Sequence, residues 1–334
     1  LSTGKQQKRA GITRGHPQTV GRQIQLKLAK TAYYLIVLPL SHLPMWALYL
    51  FTDLLYILLM TVFPYRQKIV EENLRRSFPE YSEKEIQKLK RKFYRHFSDL
   101  LAEGVKNLSI SKKDLQKRYT VKNPEVMEEL YKNSKSVILV SGHFNNWEWL
   151  ITAQNFLFKH QAMGIGMPMT SKFWDKKINE RRERFGMKVI HSKNFKEEIK
   201  KNSNQPVAIL TLGDQSPGDS RKSYWMEFLN QTTAVQFGAE QIAHEFNFAV
   251  VYFSSRKVKR GYYEMELKLI TETPSTKNWG EITEEQTLLL EKEIRNAPQF
   301  WIWSHKRWKR EIPADLERLK KEQHAKFDQR YKSA

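Results

Sequence analysis

The 334-residue chain contains no cysteine. That excludes disulfides, thiolate nucleophiles and cysteine-ligated metals, and it fits a reducing compartment. A GxxxxGK[ST] loop, a GxGxxG turn after a strand, an HExxH pair and a GxSxG elbow are also missing. Nucleotide hydrolysis, dinucleotide redox chemistry and zinc proteolysis therefore have no support. Acidic residues are scarce: 36 Asp and Glu against 57 Lys and Arg leave a net charge of +21. Such an excess implies an anionic partner, whether nucleic acid, an acidic membrane surface, or an acidic protein or substrate. No internal repeat or low-complexity tract interrupts the chain.

What is present is a globular composition, 40% hydrophobic and rich in aromatics. Residues 1–30 hold seven Lys or Arg and no Asp or Glu, and read as a flexible basic arm. Residues 31–64 are the most apolar stretch. Pro39 and Pro44 divide it, and its longer run, Met45–Phe63, has about the ~20 residues a bilayer crossing needs but includes Asp53. With basic residues on both flanks, a re-entrant or interfacial helical membrane anchor is expected over a clean single span. Residues 65–312 are assigned to one α/β domain and 313–334 to a charged, solvated helix.

Within that domain Ser82-Glu83-Lys84-Glu85 is a capping box opening a helix with Ile86, Leu89, Phe93 and Phe97 on one face. Strands are predicted near 136–142, 162–167, 187–191, 206–212, 248–255 and 262–270, and helices near 172–185, 194–202 and 234–246. The alternation predicts a mostly parallel, mixed sheet flanked by helices. The last two strands form a hairpin around Lys257–Gly261, which gives the sheet an antiparallel edge.

The chain is organised around Ser141-Gly142-His143-Phe144-Asn145-Asn146-Trp147-Glu148. It follows the buried-strand pattern Val137–Val140 and precedes a helix, and strand C-termini and helix N-termini are where α/β folds place chemistry. A neutral imidazole can take a proton from a hydroxyl attacking a carbonyl, and a carboxylate on its other nitrogen fixes the tautomer. His143 is therefore a candidate base and Glu148 its candidate orienting acid. The spacing alone suits equally a capping histidine and an exposed glutamate. Asn145 and Asn146 are candidate helix caps or substrate contacts. Asp214 and Gln215, after the strand Val207–Leu212, fall on the same expected crevice edge, although their loop also reads as a plain turn. Arg181, Arg182 and Arg184 suit either phosphate binding or a solvated helix face. Ala297–Arg310 interleaves aromatics with cations, a pattern for nucleic-acid stacking, a membrane interface or a packed helix with exposed cations.

Four motifs in order resemble those of the bacterial lipid A biosynthesis acyltransferases, the late branch of the lysophospholipid acyltransferase superfamily. They are Asn73-Leu74-Arg75-Arg76-Ser77-Phe78-Pro79, His143 with Glu148, Asp214-Gln215, and Pro298 through Trp301, Trp303, His305 and Arg307. The resemblance covers roughly residues 30–312. It implies transfer of an acyl chain from an acyl thioester, on acyl carrier protein or CoA, to a hydroxyl of a lipid A precursor at the cytoplasmic face of the inner membrane. His143 would be the base and Glu148 would orient it. Asn145, Asn146, Arg184, Asp214 and Gln215 would shape the substrate site. No metal and no cofactor are expected. A lysophospholipid or aminolipid acceptor is the alternative within this chemistry. A non-catalytic basic protein binding nucleic acid or membrane is the alternative outside it, and no nucleic-acid partner is expected.

Overall fold

The computed structural model describes residues 17–332 apart from 63, 167, 168, 193 and 203, with the side chains of 17–24 excluded. Half of the basic arm thus lies outside the described residues, and from Pro17 the chain is helical. Helix α1 (Pro17–Ala32) runs through a π-helical turn (Tyr33–Val37) into α2 (Leu38–His42). Pro44 supplies the extended residue before α3 (Met45–Thr61). Among the described residues no helix is long and apolar enough to cross a membrane, which leaves the helical membrane anchor expected over 31–64 without support. Helix α3 instead packs Leu48, Tyr49 and Thr52 inward and leaves Trp46, Leu50, Phe51, Leu54 and Ile57 exposed. Asp53, the charge that interrupts the apolar run, is ion-paired with Arg95 and Arg260.

Helix α4 (Gln67–Ser77) ends just before Pro79. Helix α5 (Glu83–Lys106) starts at the predicted capping box, where the Ser82 N–H donates to Glu85 Oε2 at 2.8 Å. Its apolar face, Ile86, Leu89 and Phe93, is buried as the helical spacing requires. Next come α6 (Lys112–Arg118), β1 (Tyr119–Val121), α7 (Glu125–Lys132), β2 (Val137–Ser141), α8 (Trp147–Leu157) and β3 (Gln161–Gly166). Helix α9 (Lys172–Glu183), β4 (Lys188–His191), α10 (Phe195–Lys201) and β5 (Val207–Leu212) continue the alternation. An antiparallel ribbon, β6 (Tyr224–Phe228) with β7 (Gln231–Val235), delays α11 to Gly238–Phe246, later than the helix predicted from 234. The hairpin β8 (Ala249–Lys259) and β9 (Tyr262–Thr271) follows, then α12 (Glu281–Asn296), where no element was predicted, and α13 (Leu316–Tyr331). Helix α13 is not merely a solvated face, because Leu319 and Phe327 are buried against the domain.

The seven-stranded sheet has the order β1-β9-β8-β2-β5-β3-β4, with β8 and β9 antiparallel and the other pairs parallel. Strand β2 is buried on both faces, which explains its unbroken apolar run. Ile138 and Val140 join a core with Ile242 of α11, while Val137 and Leu139 join a second with Trp149 of α8. The two helices therefore lie on opposite faces. Helix α8 carries the chain from β2 towards β3, and α11 carries it from β5 towards β8. Their connections diverge between β2 and β5, and that divergence opens a crevice at the strand C-termini.

Candidate active site

Parallel pairing decides which residues meet in that crevice. Ser141 at the end of β2 is in register with Leu212 at the end of β5. Two residues further on, both chains leave the sheet, and His143 faces Asp214. The His143 Nδ1 lies 2.6 Å from Asp214 Oδ1, and the His143 backbone N–H donates to Asp214 Oδ2 at 2.9 Å. Trp301 Nε1 also donates to Oδ2, at 2.8 Å. The Asp214 side chain is 0% exposed, whereas His143 keeps 18% of its side chain open. Burial alone would raise the Asp214 pKa. The His143 ring and the hydrogen-bond donors outweigh burial and hold it at about 2. A permanent acceptor on Nδ1 fixes the proton there, so Nε2 carries the lone pair. Gln215 Nε2 sits 3.2 Å from that nitrogen. Gly142 makes the approach possible, because a Cβ there would meet Leu290 Cδ2 at 2.6 Å and Asp214 Oδ2 at 3.0 Å.

The expected partnership of Glu148 with His143 is corrected by this geometry. Glu148, in the first turn of α8, accepts hydrogen bonds from Arg181 and Arg182 of α9, the latter at 2.6 Å to Oε1. Burial pushes its carboxyl up, but the two guanidiniums prevail and hold it at about 2. The reason is topological: a helix residue five positions on turns towards the neighbouring helix, while sheet register delivers Asp214 from a distant part of the chain. Arg181 and Arg182 thus belong to the site through Glu148. Arg184 does not, since it donates to the carbonyls of Asn107, Leu108 and Ile110 and ties the end of α9 to the turn after α5.

Asn145 and Asn146 shape the loop from beneath rather than facing the crevice. Asn145 adopts φ 52°, a left-handed conformation that Asn tolerates, and its amide donates to Ser255 O. Asn146 Oδ1 caps α8 by accepting the Trp149 N–H at 2.9 Å, and its Nδ2 donates to Glu103 at 2.6 Å. Glu103, fully buried, also accepts from the hydroxyls of Tyr49 and Tyr263 at 2.7 Å each. Burial raises its pKa, and these donors act against that.

The aromatic and cationic segment after Pro298 is neither a stacking platform nor a helix. Trp301 and Trp303 are 2% and 0% exposed. Phe300 O accepts the Asn145 N–H, and His305 Nε2 accepts the Ser216 N–H at 3.0 Å. Asn73 of the first motif donates to Trp303 O and His305 O at 2.8 and 2.9 Å. The first, third and fourth motifs therefore meet, and together they brace the loops carrying His143 and Asp214. Trp301 as a donor to Asp214 was not predicted; its place beside His305 and Arg307 in one motif was the available signal. No group of three or more His, Asp or Glu able to hold a metal occurs among the described residues.

The family model for bacterial lipid A biosynthesis acyltransferases matches residues 21–310. The chain is also similar to the lipid A biosynthesis acyltransferase of Haemophilus influenzae, 25% identical over 248 residues, covering 70% of this chain and 72% of that protein.

Proposed function

Because this chain belongs to the bacterial lipid A biosynthesis acyltransferase family and is an acyltransferase, we propose that His143 and Asp214 form its proton-transfer pair, acting on a lipid hydroxyl and an acyl thioester. The observation that carries the reading is the 2.6 Å contact between Asp214 and His143 Nδ1, which leaves Nε2 with only the Gln215 amide, 3.2 Å away, on a side chain that is 18% exposed. The acceptor hydroxyl takes the place of the Gln215 amide at Nε2. His143 removes its proton as the oxygen bonds the thioester carbonyl carbon. The tetrahedral oxyanion collapses, the C–S bond breaks, and the imidazolium returns the proton to the leaving thiolate. In this reading the N–H groups of Trp147 and Glu148, in the first turn of α8 and so without intrahelical acceptors, donate to the oxyanion. Glu148 holds Arg181 and Arg182 beside that turn.

In this reading the donor is acyl carrier protein or acyl-CoA, the acceptor is a lipid A precursor, and the enzyme works at the cytoplasmic face of the inner membrane. The +21 charge suits an acidic carrier and anionic lipid alike. The exposed face of α3, with Trp46, Leu50, Phe51, Leu54 and Ile57, supports an interfacial seat on the bilayer.

The test is lipid mass spectrometry of a host with the gene deleted and then restored with wild type, His143→Ala or Asp214→Asn. The expected result is one acyl chain lost from lipid A on deletion and regained only with wild type. Restoration by His143→Ala would end the mechanism. A chain lost instead from an aminolipid or phospholipid would replace the acceptor.

A further inference from the structure

A buried cation shares a cavity wall with Asp214. Arg307 is 1% exposed. Its Nη1 donates to Thr233 Oγ1 at 2.9 Å, and its guanidinium lies 5.5 Å from the centre of the Phe228 ring. Its Nε has no hydrogen-bond partner among the described residues. Burial lowers the Arg307 pKa to about 10, and Asp214 acts in the opposite sense. Arg307 and Asp214 share the wall of a small cavity of about 20 Å³, completed on its polar side by Ser141, Gln286 and Thr287. That is room for one water molecule, and such a site needs two to four polar partners, which these residues supply.

Resting on the His143–Asp214 reading above, we propose that Arg307 is a positioning residue for the pair, its guanidinium joined to Asp214 through one water in this cavity. A guanidinium keeps its proton in any protein environment, and a buried one requires a counter-charge. Asp214 provides it. With Asp214 ionised, His143 neutral and Arg307 charged, the buried trio has no net charge, and the imidazolium formed during turnover is resisted by a fixed positive charge. Arg307 thereby holds the Asp214 carboxylate in the orientation that serves Nδ1.

The signature is in the pH profile. Removing a positive charge near an imidazole favours the imidazolium, so the base is lost at a higher pH. Asp214, Glu148 with Arg181 and Arg182, and His305 also act on this neighbourhood and are unchanged in the variants. In the full-length enzyme, Arg307→Met is expected to move the acid limb of kcat/KM upward by about one pH unit. It lowers kcat more than it changes KM, and Arg307→Lys, which keeps a charge, restores the limb. A folded Arg307→Met enzyme with the wild-type limb overturns the proposal. A high-resolution crystal structure of the wild type is the independent measurement should Arg307→Met not fold. A water within hydrogen-bond reach of both Arg307 and Asp214 supports the proposal, and a dry cavity overturns it. Failure of the underlying reading looks different: Asp214→Asn would then keep wild-type turnover.

Discussion

Two carboxylates flank the loop between β2 and α8, Asp214 buried and Glu148 half-buried, and both are held near the same pKa, about 2, Asp214 chiefly by His143 and Glu148 chiefly by Arg181 and Arg182. Asp214, past the end of β5, faces an imidazole whose charge would change in the proposed proton transfer. Glu148, in the first turn of α8, faces two guanidiniums whose charge never changes. A depressed pKa is therefore not by itself a sign of a part in proton transfer. In that proposed step the Asp214 carboxylate would gain interaction energy as the imidazolium forms, whereas Glu148 is already paired with permanent cations. In the proposed mechanism the first acts during the reaction, while the second holds α9 against α8.

The sharpest way to break this contrast is to neutralise each carboxylate in turn. Asp214→Asn is expected to lower kcat/KM in an acyl-thioester transfer assay by about 10³–10⁴-fold, the range for loss of a histidine-orienting aspartate. Glu148→Gln should lower it far less, on the order of ten-fold. Equal losses would put both carboxylates in the same role. Gly142→Ala tests the geometry between strand and base, since its Cβ meets Asp214 and Leu290. We expect a loss intermediate between those two, with binding of the lipid acceptor retained in flotation.

Stability sharpens the comparison further. For both groups the folded pKa lies below the unfolded value, so their contribution is present above about pH 4 and is lost as pH falls towards 2. Each contributes on the order of 2–3 kcal/mol on this basis. Urea midpoints measured at pH 6, 4 and 3 should fall steeply for wild type and less steeply for Asp214→Asn. Glu148→Gln should cost about 1–3 kcal/mol at pH 7, because two charged donors lose their acceptor. Arg184→Ala is the smallest expected effect on activity, under about three-fold. It loses hydrogen bonds to backbone carbonyls at the α5–α6 turn, so its consequence should be read in the melting curve at roughly 1–2 kcal/mol.

The contrast also explains what could be read in advance. The capping box at Ser82, the hairpin around Gly261 and the alternation from β2 to β5 rest on interactions within a few residues, and they form as the periodicities predict. The apolar run 45–63 was visible as well, but its fate depended on α5 and Arg260. They cover one side of α3 and pair Asp53, leaving an exposed face rather than a span. His143 was legible as a candidate from its place after a buried strand, although a capping histidine fitted that spacing equally. Its partner was not, because proximity in sequence favoured Glu148, and the 71-residue separation of His143 and Asp214 carries no local signal.

By itself, then, the sequence determined the central alternation of strands and helices, the sheet class and the histidine at the mouth of β2, since these follow from short-range periodicity, capping and turn chemistry, while α12 and the β6–β7 ribbon did not announce themselves. Only the tertiary structure decided which carboxylate serves that histidine. Parallel pairing of Ser141 with Leu212 sets Asp214 opposite His143, and the packing of α8 on α9 hands Glu148 to Arg181 and Arg182. Register and helix packing are properties of how distant segments meet, and no local pattern encodes them.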